Sequence, residues 1–469
     1  MKVEQIYTGC LAHGAYYIES KGEAVIIDPL RDYKPYVDKA KADGAKIKYI
    51  LETHFHADFV SGHIDLARAT GAPIVFGPTA APEFDAHIAK DNEELKVGDA
   101  TIVVLHTPGH TMESTTFLLR DEEGKDYAIF SGDTLFIGDV GRPDLAVKTD
   151  LTMEDLASHL YDSLRNKIMP LADDVIVYPG HGAGSACGKN LSDETWDTIG
   201  NQKRTNYALR EDMTREEFIK EVTDGLMTPP QYFPENVRMN KMGYDSFEVA
   251  LETGLQSLNP ENFEAAANEW NALILDTRKA GTFAEGHVPN SINIGLDGDF
   301  APWVGALITD MHQPILLVTE KGREEEAVTR LARVGYDKSI GYLDGGFDSW
   351  KNSGKDFSTV NSITAEDFAI AVANNNARVV DVRKPSEHQS EHVKGAVNIP
   401  LDFLNSEMSA FSNNEKTYVH CAGGYRSMTA VSILQARGFH NLIDVQGGFN
   451  KIKETSVPVS DYVCPSTLV

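Results

Sequence analysis

Short apolar runs alternate with amphipathic stretches over the first 120 residues, and this alternation predicts a mixed α/β domain. The apolar runs predict strands at residues 24–27, 48–51, 73–76 and 101–105, and helical spacing predicts helices at 34–43 and 62–70. Leucines at 156, 160 and 164 predict a helix over 152–164, and a second helical segment is predicted to begin near Asp193. The stretch 224–246 is rich in proline, asparagine and methionine, so we expect a wrap-around tail that ends this domain near residue 255.

The rest of the chain repeats one pattern twice. Three motifs occur twice, in the same order. D-x-R occurs at Asp276 and again at Asp381, similar segments surround His287 and His392, and G-G-F occurs at 345–347 and again at 447–449. Both the aspartates and the histidines are 105 residues apart. The repeat predicts two homologous α/β domains of roughly a hundred residues each.

Taken together, the patterns predict three domains, at residues 1–255, 256–357 and 358–469. A chain of 469 residues is too long for one ordinary core, which agrees with this division. A net charge of −27 argues against nucleic-acid binding, which needs a basic face.

Four widely spaced cysteines do not form a disulfide framework and are typical of a reducing compartment. The first 20 residues lack the features of a secretory signal, and no apolar run approaches the length of a membrane span. We therefore expect a cytoplasmic protein with no membrane partner; a homo-oligomer is compatible with the sequence.

The segment 53–63 places three histidines and one aspartate within eleven residues, directly after a predicted strand: His54, His56, Asp58 and His63. Imidazole and carboxylate are the ligands that divalent first-row metals take from proteins, which favours a metal site over a polar surface turn. Further candidate ligands follow other apolar runs and stand among glycines or prolines: His110, Asp133 and His181. The sequence therefore predicts a metal site built from loops at strand ends.

The ordered motifs T-H-x-H-x-D, T-P-G-H, S-G-D-T and Y-P-G-H resemble those of the metallo-β-lactamase superfamily over roughly the first half of the chain. The resemblance implies an αββα fold, in which two sheets are sandwiched between helices. It also implies a metal close to His54, His110 and Asp133.

One position departs from the superfamily's pattern. The histidine expected directly after Asp58, a ligand of a second metal, is Phe59 in this chain. A phenyl ring cannot coordinate, so a second site would keep only Asp58, His181 and a share of Asp133. We therefore expect one metal per chain.

Cys421 begins the segment C-A-G-G-Y-R-S, which runs into a predicted helix at 428–437. The backbone amides of a six-residue loop, a helix N-terminus and Arg426 all favour a bound persulfide anion. This loop, with the D-x-R and G-G-F motifs, resembles rhodanese domains. The resemblance implies that Cys421 is the nucleophile and that Arg426 steadies its persulfide.

The first copy of the repeat has no cysteine in the corresponding segment. Aligned by eye, Glu320 stands near the place of the cysteine and the loop is about two residues shorter. We therefore expect an inactive rhodanese-like domain that serves as a structural spacer or docking module.

A site of two histidines and one carboxylate leaves positions open on ferrous iron for oxygen and substrate. Three features favour iron: Phe59, the downstream rhodanese, and the G-R-P-D stretch of 141–144, which resembles the persulfide dioxygenases. The whole chain resembles a persulfide dioxygenase fused to two rhodanese domains. The resemblance implies that one Fe(II) per chain uses O2 to oxidise a low-molecular-weight persulfide to sulfite and thiol. Cys421 would then pass a sulfane sulfur to sulfite, giving thiosulfate and detoxifying sulfide.

Two other functions stay open. The same superfamily contains zinc-dependent thioester hydrolases of the glyoxalase II type, so a hydrolase with an accessory sulfurtransferase is one alternative. A non-catalytic persulfide sensor or carrier that traps sulfur on Cys421 is the other, although a trap needs no metal ligands.

Six further residues are expected near the metal, without assigned coordination: His56, Asp58, His181, Arg142, Asp144 and Cys187. Arg142 and Asp144 are equally compatible with an internal ion pair and with substrate contact. Cys187 is either a sulfur relay at the mouth of the metal pocket or a small buried side chain.

Overall fold

The computed structural model describes residues 1–146, 151–189, 191–226, 228–374 and 377–464. It divides into two compact units, of which the first is Met1–Phe247 with Ala332–Gly335 and the second is Glu248–Leu331 with Tyr336–Val469. Met227 of the predicted tail and residues 465–469 of the predicted third domain lie outside the described residues.

The first unit contains two six-stranded sheets. Strands of the first sheet follow chain order: β1 (Lys2–Thr8), β2 (His13–Ser20), β3 (Glu23–Ile27), β4 (Lys46–Glu52), β5 (Ile74–Phe76) and β6 (His87–Ile88). Strands of the second are β7 (Glu94–Val97), β8 (Ala100–His106), β9 (Thr115–Arg120), β10 (Asp126–Gly132), β11 (Ile176–Pro179) and β12 (Asp197–Thr198), also side by side in this order.

The direction of the strands in the second sheet places the candidate ligands together. β8 pairs antiparallel with β9, β9 antiparallel with β10, and β10 parallel with β11. β8, β10 and β11 therefore run in one direction, and their carboxyl ends share one edge of the sheet. The loops that follow these three ends carry His110, Asp133 and His181.

One apolar core lies between the two sheets, and others lie against their outer faces. The inner core joins residues of both sheets, such as Val25 and Leu51 with Ile102 and Phe130. Helices cover the outer faces: α1 (Lys34–Ala42) and α2 (His63–Thr70) on the first sheet, and α3 (Met153–Ser163) and α5 (Arg215–Thr223) on the second. This is the αββα sandwich that the sequence resemblance implies.

The predicted helices of the first unit are confirmed at 34–43, 62–70 and 152–164, within one residue at each end. α3 begins with a capping box, in which Thr152 and Asp155 satisfy each other's backbone amides. α4 (Ile199–Thr205) begins six residues later than predicted, because 197–198 pair with β11. The predicted tail contains a helix, α6 (Phe233–Met242). The next helix along the chain is α7 (Phe247–Gly254), which begins at Phe247 of the first unit and continues with residues of the second.

In the second unit, the first copy of the repeat is a parallel five-stranded sheet flanked by helices. Its elements are β13 (Ser257–Leu258), α8 (Pro260–Glu269), β14 (Leu273–Asp276), α9 (Ala280–Glu285), β15 (Ile292–Asn293), α10 (Phe300–Leu307), β16 (Ile315–Val318), α11 (Glu324–Arg333), β17 (Ser339–Leu343) and α12 (Gly346–Asn352). The strand order is β13-β17-β16-β14-β15.

The second copy has the same topology, in the order β18-β22-β21-β19-β20. Its elements are β18 (Ser362–Ile363), α13 (Ala365–Asn374), β19 (Arg378–Asp381), α14 (Pro385–Ser390), β20 (Val397–Asn398), β21 (Thr417–His420), α15 (Tyr425–Ala436), β22 (Leu442–Val445) and α16 (Gly448–Ile452). The repeated D-x-R aspartate ends β14 in the first copy and β19 in the second. Across the described residues of both units, no helix is long and apolar enough to cross a membrane.

Candidate functional site

His54, His110 and Asp133 come together at the edge of the two sheets. One donor atom of each lies within 4.8 Å of the other two, and all three side chains are buried. Oδ2 of Asp133 lies 3.5 Å from Nε2 of His110 and 3.9 Å from Nε2 of His54. Two ligands of one metal at about 2.1 Å are about 3.4 Å apart in a tetrahedral site, so this spacing suits a shared metal.

Hydrogen bonds set both imidazoles to present Nε2. Nδ1 of His110 lies 2.9 Å from the carbonyl oxygen of Arg142, which can only accept, so Nδ1 carries the proton. The Thr53 hydroxyl donates to Oδ2 of Asp28 and therefore accepts from Nδ1 of His54 at 2.9 Å. In the neutral form of each ring this arrangement leaves Nε2 without a proton, as a metal ligand must be.

The three residues also fit a metal by their charge and by an unsatisfied atom. Burial and the neighbouring His56 hold the pKa of His54 well below its ordinary value, so this imidazole is neutral. Burial favours protonation of Asp133, but His181 and the other histidines bring the pKa of this carboxyl well below its ordinary value. Its Oδ2 is buried and accepts no hydrogen bond from any described residue, which is costly unless a cation is bound there.

Hydrogen bonds join the residues that the superfamily pattern assigns to a second metal. Nδ1 of His181 lies 2.8 Å from Oδ1 of Asp133, and its Nε2 lies 2.9 Å from Oδ2 of Asp58. Phe59 is fully buried, and its ring centroid lies 4.3 Å from those of His13 and His56. Phe59 therefore packs where the superfamily pattern predicts a ligand.

His56 belongs to a separate buried group behind the three candidate ligands. Its Nε2 lies 3.2 Å from Oδ1 of Asp28 and 3.6 Å from Oε2 of Glu52. Burial and the charge of Asp28 raise the pKa of Glu52 well above its ordinary value. His56 thus contacts these two carboxyl groups, and its ring centroid lies 4.3 Å from that of His54.

Sequence reasoning did not identify Asn240, which holds the metal loop. Its Nδ2 donates to the carbonyl oxygens of His56 and Phe59, and its Oδ1 accepts from the amide of Ser61, all at 2.8 Å. Asn240 lies on α6 and is buried. Its only sequence signal was its position in a tail already expected to wrap around the domain.

Cys421 follows β21 directly and faces the start of α15. The amide of Gly424 donates to Sγ of Cys421 at 3.1 Å, and the side chain is 1 % exposed. α15 begins at Tyr425, three residues earlier than predicted, so only three residues separate the cysteine from the helix. An anionic sulfur here would meet a backbone amide and the positive end of a twelve-residue helix.

Arg426 forms a bidentate ion pair with Glu387 of α14, with N–O distances of 2.6 and 2.8 Å. Burial raises the pKa of Glu387, but the pair with Arg426 brings it below its ordinary value. Burial lowers the pKa of Arg426, but the ion pair with Glu387 brings it above its ordinary value. Cys421 raises the pKa of Arg426 further. The guanidinium thus lies in electrostatic reach of the cysteine while its hydrogen bonds go to Glu387, so a direct contact with a persulfide stays a prediction.

Two family profiles match separate parts of the chain. The Metallo-beta-lactamase superfamily profile matches residues 8–181, and the Rhodanese-like domain profile matches 259–353 and 364–455. A crystal structure of a metallo-beta-lactamase from Staphylococcus aureus is 32% identical, with a TM-score of 0.64, covering 73% of this chain and 98% of that one. The chain belongs to the metallo-beta-lactamase superfamily. Two rhodanese-like domains follow its metallo-beta-lactamase domain, so the expected fold and fusion architecture are confirmed.

Curated relatives of this metallo-beta-lactamase domain carry two different names. The human mitochondrial persulfide dioxygenase ETHE1 is 29% identical over 223 residues, which are 46% of this chain and 79% of that protein. A cytoplasmic hydroxyacylglutathione hydrolase from Arabidopsis thaliana is 32% identical over 177 residues, which are 37% of this chain and 65% of that protein. The relatives of this domain therefore include one protein named a persulfide dioxygenase and one named a hydroxyacylglutathione hydrolase.

Arg142 and Asp144 of the metallo-beta-lactamase domain form an internal ion pair. Nε and NH2 of Arg142 each lie 2.7 Å from an oxygen of Asp144. Arg142 also donates to the carbonyl of Ala186, and its own amide donates to the carbonyl of Cys187. The preceding Gly141 is required, because a Cβ there would lie 1.9 Å from the carbonyl oxygen of Asp133. The pair thus shapes the loop that supports His110 and Cys187.

Cys187 lies in the group formed with Asp58 and His181, whose donor atoms are all within 4.8 Å of one another. The side chain is 1 % exposed, and burial, with the charges of Asp58 and Asp133, raises the pKa of its thiol well above the ordinary value. A protonated, buried thiol is a poor nucleophile, so the structure favours a small buried side chain over a sulfur relay at Cys187.

The rhodanese-like register corrects the alignment of the inactive copy. Asp276 pairs with Val318 in the first copy, and Asp381 pairs with His420 in the second. Thr319 therefore stands where the second copy has Cys421, and Glu320, which the sequence placed near that position, is the next residue. The predicted shorter loop was wrong, since four residues separate Thr319 from α11 and three separate Cys421 from α15.

Proposed function

We propose that the chain is a persulfide dioxygenase and thiosulfate sulfurtransferase. Its metallo-beta-lactamase domain would oxidise a low-molecular-weight persulfide with O2 to sulfite and thiol at one iron, and Cys421 would transfer sulfane sulfur to sulfite. The single observation that carries the proposal is the set of His54, His110 and Asp133, which presents two imidazole Nε2 atoms and one unsatisfied carboxylate oxygen.

Iron held by these three residues would supply the activation of O2. The protein's own contribution is to hold both imidazoles in the ligand tautomer, through the Arg142 carbonyl and the Thr53 hydroxyl. Burial excludes water, and Asn240 fixes the loop that follows His54. These features support positioning of the substrate and protection of the oxidation from solvent.

In the second rhodanese-like domain, Cys421 is the residue that would carry sulfur. The Gly424 amide and the N-terminus of α15 would stabilise a persulfide anion on this side chain. Sulfite would then attack the outer sulfur, leave as thiosulfate and restore the cysteine. The first copy has Thr319 at this position and would not carry sulfur.

A zinc-dependent thioester hydrolase is the second candidate, because relatives of the same domain are named hydroxyacylglutathione hydrolase. The two candidates differ in metal and in oxygen use. Protein produced without added zinc should contain about one iron per chain and consume O2 when given glutathione persulfide. Two zinc ions per chain, thioesterase activity and no oxygen uptake would overturn the dioxygenase proposal.

A further inference from the structure

The helix that follows the cysteine loop, α15, packs against the edge of the first copy's sheet. That edge is β15, the last strand in the order of the five-stranded sheet. The backbone amide of Asn293, at the end of β15, donates to the Ser432 hydroxyl of α15 at 2.8 Å, and both residues are buried. A buried amide on a sheet edge is costly without an acceptor, so α15 supplies a partner that this strand needs. The two copies are therefore joined through the helix that begins at the cysteine loop.

Tyr425, the first residue of α15, sits in a seat formed by two glycines of the first copy. Its hydroxyl donates to the carbonyl of Gly295 at 2.7 Å. A Cβ on Gly298 would lie 2.7 Å from the Tyr425 ring, which is closer than side chains approach. The backbone of Gly298 is outside the left-handed region, so the tyrosine ring, and not the backbone conformation, excludes a side chain there.

The second copy has different residues at the positions of these two glycines. Strand pairing aligns Asn398 of β20 with Asn293 of β15, 105 residues earlier. At the same offset, Pro400 and Phe403 stand where the first copy has the two glycines. A phenylalanine at the position of Gly298 would exclude a tyrosine ring. The seat is therefore a property of the first copy and not of the fold that the two copies share.

The seat lies one residue from the amide that faces the cysteine sulfur. The Gly424 amide donates to Sγ of Cys421 at 3.1 Å, and Gly424 is the N-cap of α15. The G-G-F motif holds the other side of the loop, where the Phe449 amide donates to the carbonyl of Cys421 at 2.6 Å. A shift of the Tyr425 ring would therefore move the Gly424 amide relative to the sulfur. A misplacement of about 1 Å in a reacting site can lower a rate by about a hundredfold.

We propose that Tyr425 is a positioning residue for sulfur transfer, and that the first rhodanese-like copy provides the seat that keeps the Gly424 amide in place against Cys421. The inference rests on the proposed sulfurtransferase function. It gives the copy that would not carry sulfur a part in the rate of the reaction. Because Tyr425 acts through the loop, loss of the seat should lower kcat and leave the KM for the sulfur donor nearly unchanged.

The test measures sulfur transfer from thiosulfate to cyanide by the full-length protein. Tyr425→Phe removes the hydroxyl that reaches Gly295 and should lower kcat by about three- to tenfold, with the KM for thiosulfate within about twofold of wild type. Tyr336→Phe is the matched control, because the Tyr336 hydroxyl donates to the carbonyl of Ile308 at 2.6 Å elsewhere in the first copy. It should lower the melting temperature by a similar amount and leave kcat at the wild-type value. An equal loss of kcat in Tyr336→Phe would show that stability, and not the seat, is the cause.

Gly298→Ala tests the seat from the side of the first copy. The added methyl group would collide with the Tyr425 ring, so kcat should fall by about tenfold or more. In a Tyr425→Ala background the same substitution meets no ring and should change kcat by less than about twofold. Gly281→Ala is the control, because a Cβ there would meet no atom within 4 Å, and it should behave as wild type.

Two results would overturn the inference. One is an unchanged kcat in both Tyr425→Phe and Gly298→Ala, and the other is an effect of Gly298→Ala that is equally large with and without the Tyr425 ring. The wild type separates this inference from the function on which it rests. If the wild type transfers no sulfur from thiosulfate to cyanide, the proposed sulfurtransferase function fails and the inference with it.

Discussion

Nε2 of His181 lies 2.9 Å from Oδ2 of Asp58, and both residues are buried. The other ring nitrogen lies 2.8 Å from Oδ1 of Asp133. Burial lowers the pKa of His181, but the two carboxylates raise it well above its ordinary value. The protonated ring therefore provides, between these two carboxylates, a positive charge that a second metal would otherwise supply.

Phe59→His should create the missing ligand of that second site. An imidazole after Asp58 would complete a set with Asp58 and His181, and a divalent metal would displace the proton of His181. Elemental analysis should then find about two metals per chain, compared with about one in the wild type. Phe59→Leu, which fills the same buried position without a ligand atom, is the matched control and should stay near one. A metal content of two in the wild type would show that Phe59 does not limit the site.

His110→Ala should abolish oxygen uptake, by more than about a hundredfold, and lower the bound iron, because it removes one of three ligands. Sulfur transfer from thiosulfate should persist, since Cys421 belongs to another domain. His106→Ala is a suitable control, because its Nε2 hydrogen-bonds to the carbonyl of Met112, away from the three candidate ligands, and the residue ends the same strand, β8. If His110→Ala keeps its iron and its oxygen uptake, His110 is not a ligand.

Cys421→Ser should remove sulfur transfer and leave oxygen uptake on glutathione persulfide largely intact. A serine hydroxyl stays protonated at neutral pH and cannot hold a sulfane sulfur. The product should change from thiosulfate to sulfite, measured by chromatography of the labelled products. Cys187→Ser is the informative comparison, because its buried, protonated thiol is expected to play no part in transfer.

Thiosulfate as the main product of Cys421→Ser would contradict this division of roles. Thr319 occupies the cysteine's position in the first copy, so that copy offers no substitute. Loss of thiosulfate in Cys187→Ser, with normal oxygen uptake, would instead identify Cys187 as a relay.

Asp444→Asn should stabilise the protein at neutral pH. Burial raises the pKa of Asp444 from 3.8 to about 6, although the Ser427 hydroxyl donates to it. Above pH 6 the carboxylate is charged in both states, and its burial costs at most about 2 to 3 kcal/mol, which asparagine avoids. As the pH falls from 6 to below 4, the carboxyl of Asp444 takes up a proton in the folded protein. The difference in melting temperature between Asp444→Asn and the wild type should then vanish. A gain that is equal at pH 4 and pH 7.5 would show that the charge is not the cause.

The candidate ligands could be predicted from sequence because each stands directly after a recognisable apolar strand. His54, His110 and Asp133 follow β4, β8 and β10, and β8 and β10 run in one direction, so their carboxyl ends share one edge of the second sheet. Their supporting groups could not be predicted in the same way. Asp28 and Asn240 act through contacts with residues far away in the chain, which no local pattern reports.

The register of the repeat shows a second limit. The sequence placed Glu320 only near the position of Cys421, because neither loop has a fixed length. The strand pairing of Asp276 with Val318, and of Asp381 with His420, shows that Thr319 is the residue that corresponds to Cys421. Arg426 was correctly located on the loop, but its bidentate partner Glu387 lies 39 residues earlier, on a different helix.

The hydrogen bonds by which Asn240 holds the metal loop have a consequence for the synthesis of the protein. Asn240 lies 184 residues after His56, whose carbonyl it binds, and 59 residues beyond His181, the last residue of the superfamily match. On the ribosome, every candidate ligand is synthesised well before α6 emerges to tie down their loop. A chain truncated at residue 181 would contain His54, His110 and Asp133 and still lack the part that keeps them in place. Metal insertion is therefore expected to await release of α6, so the first domain matures only after more than half of the polypeptide has been translated.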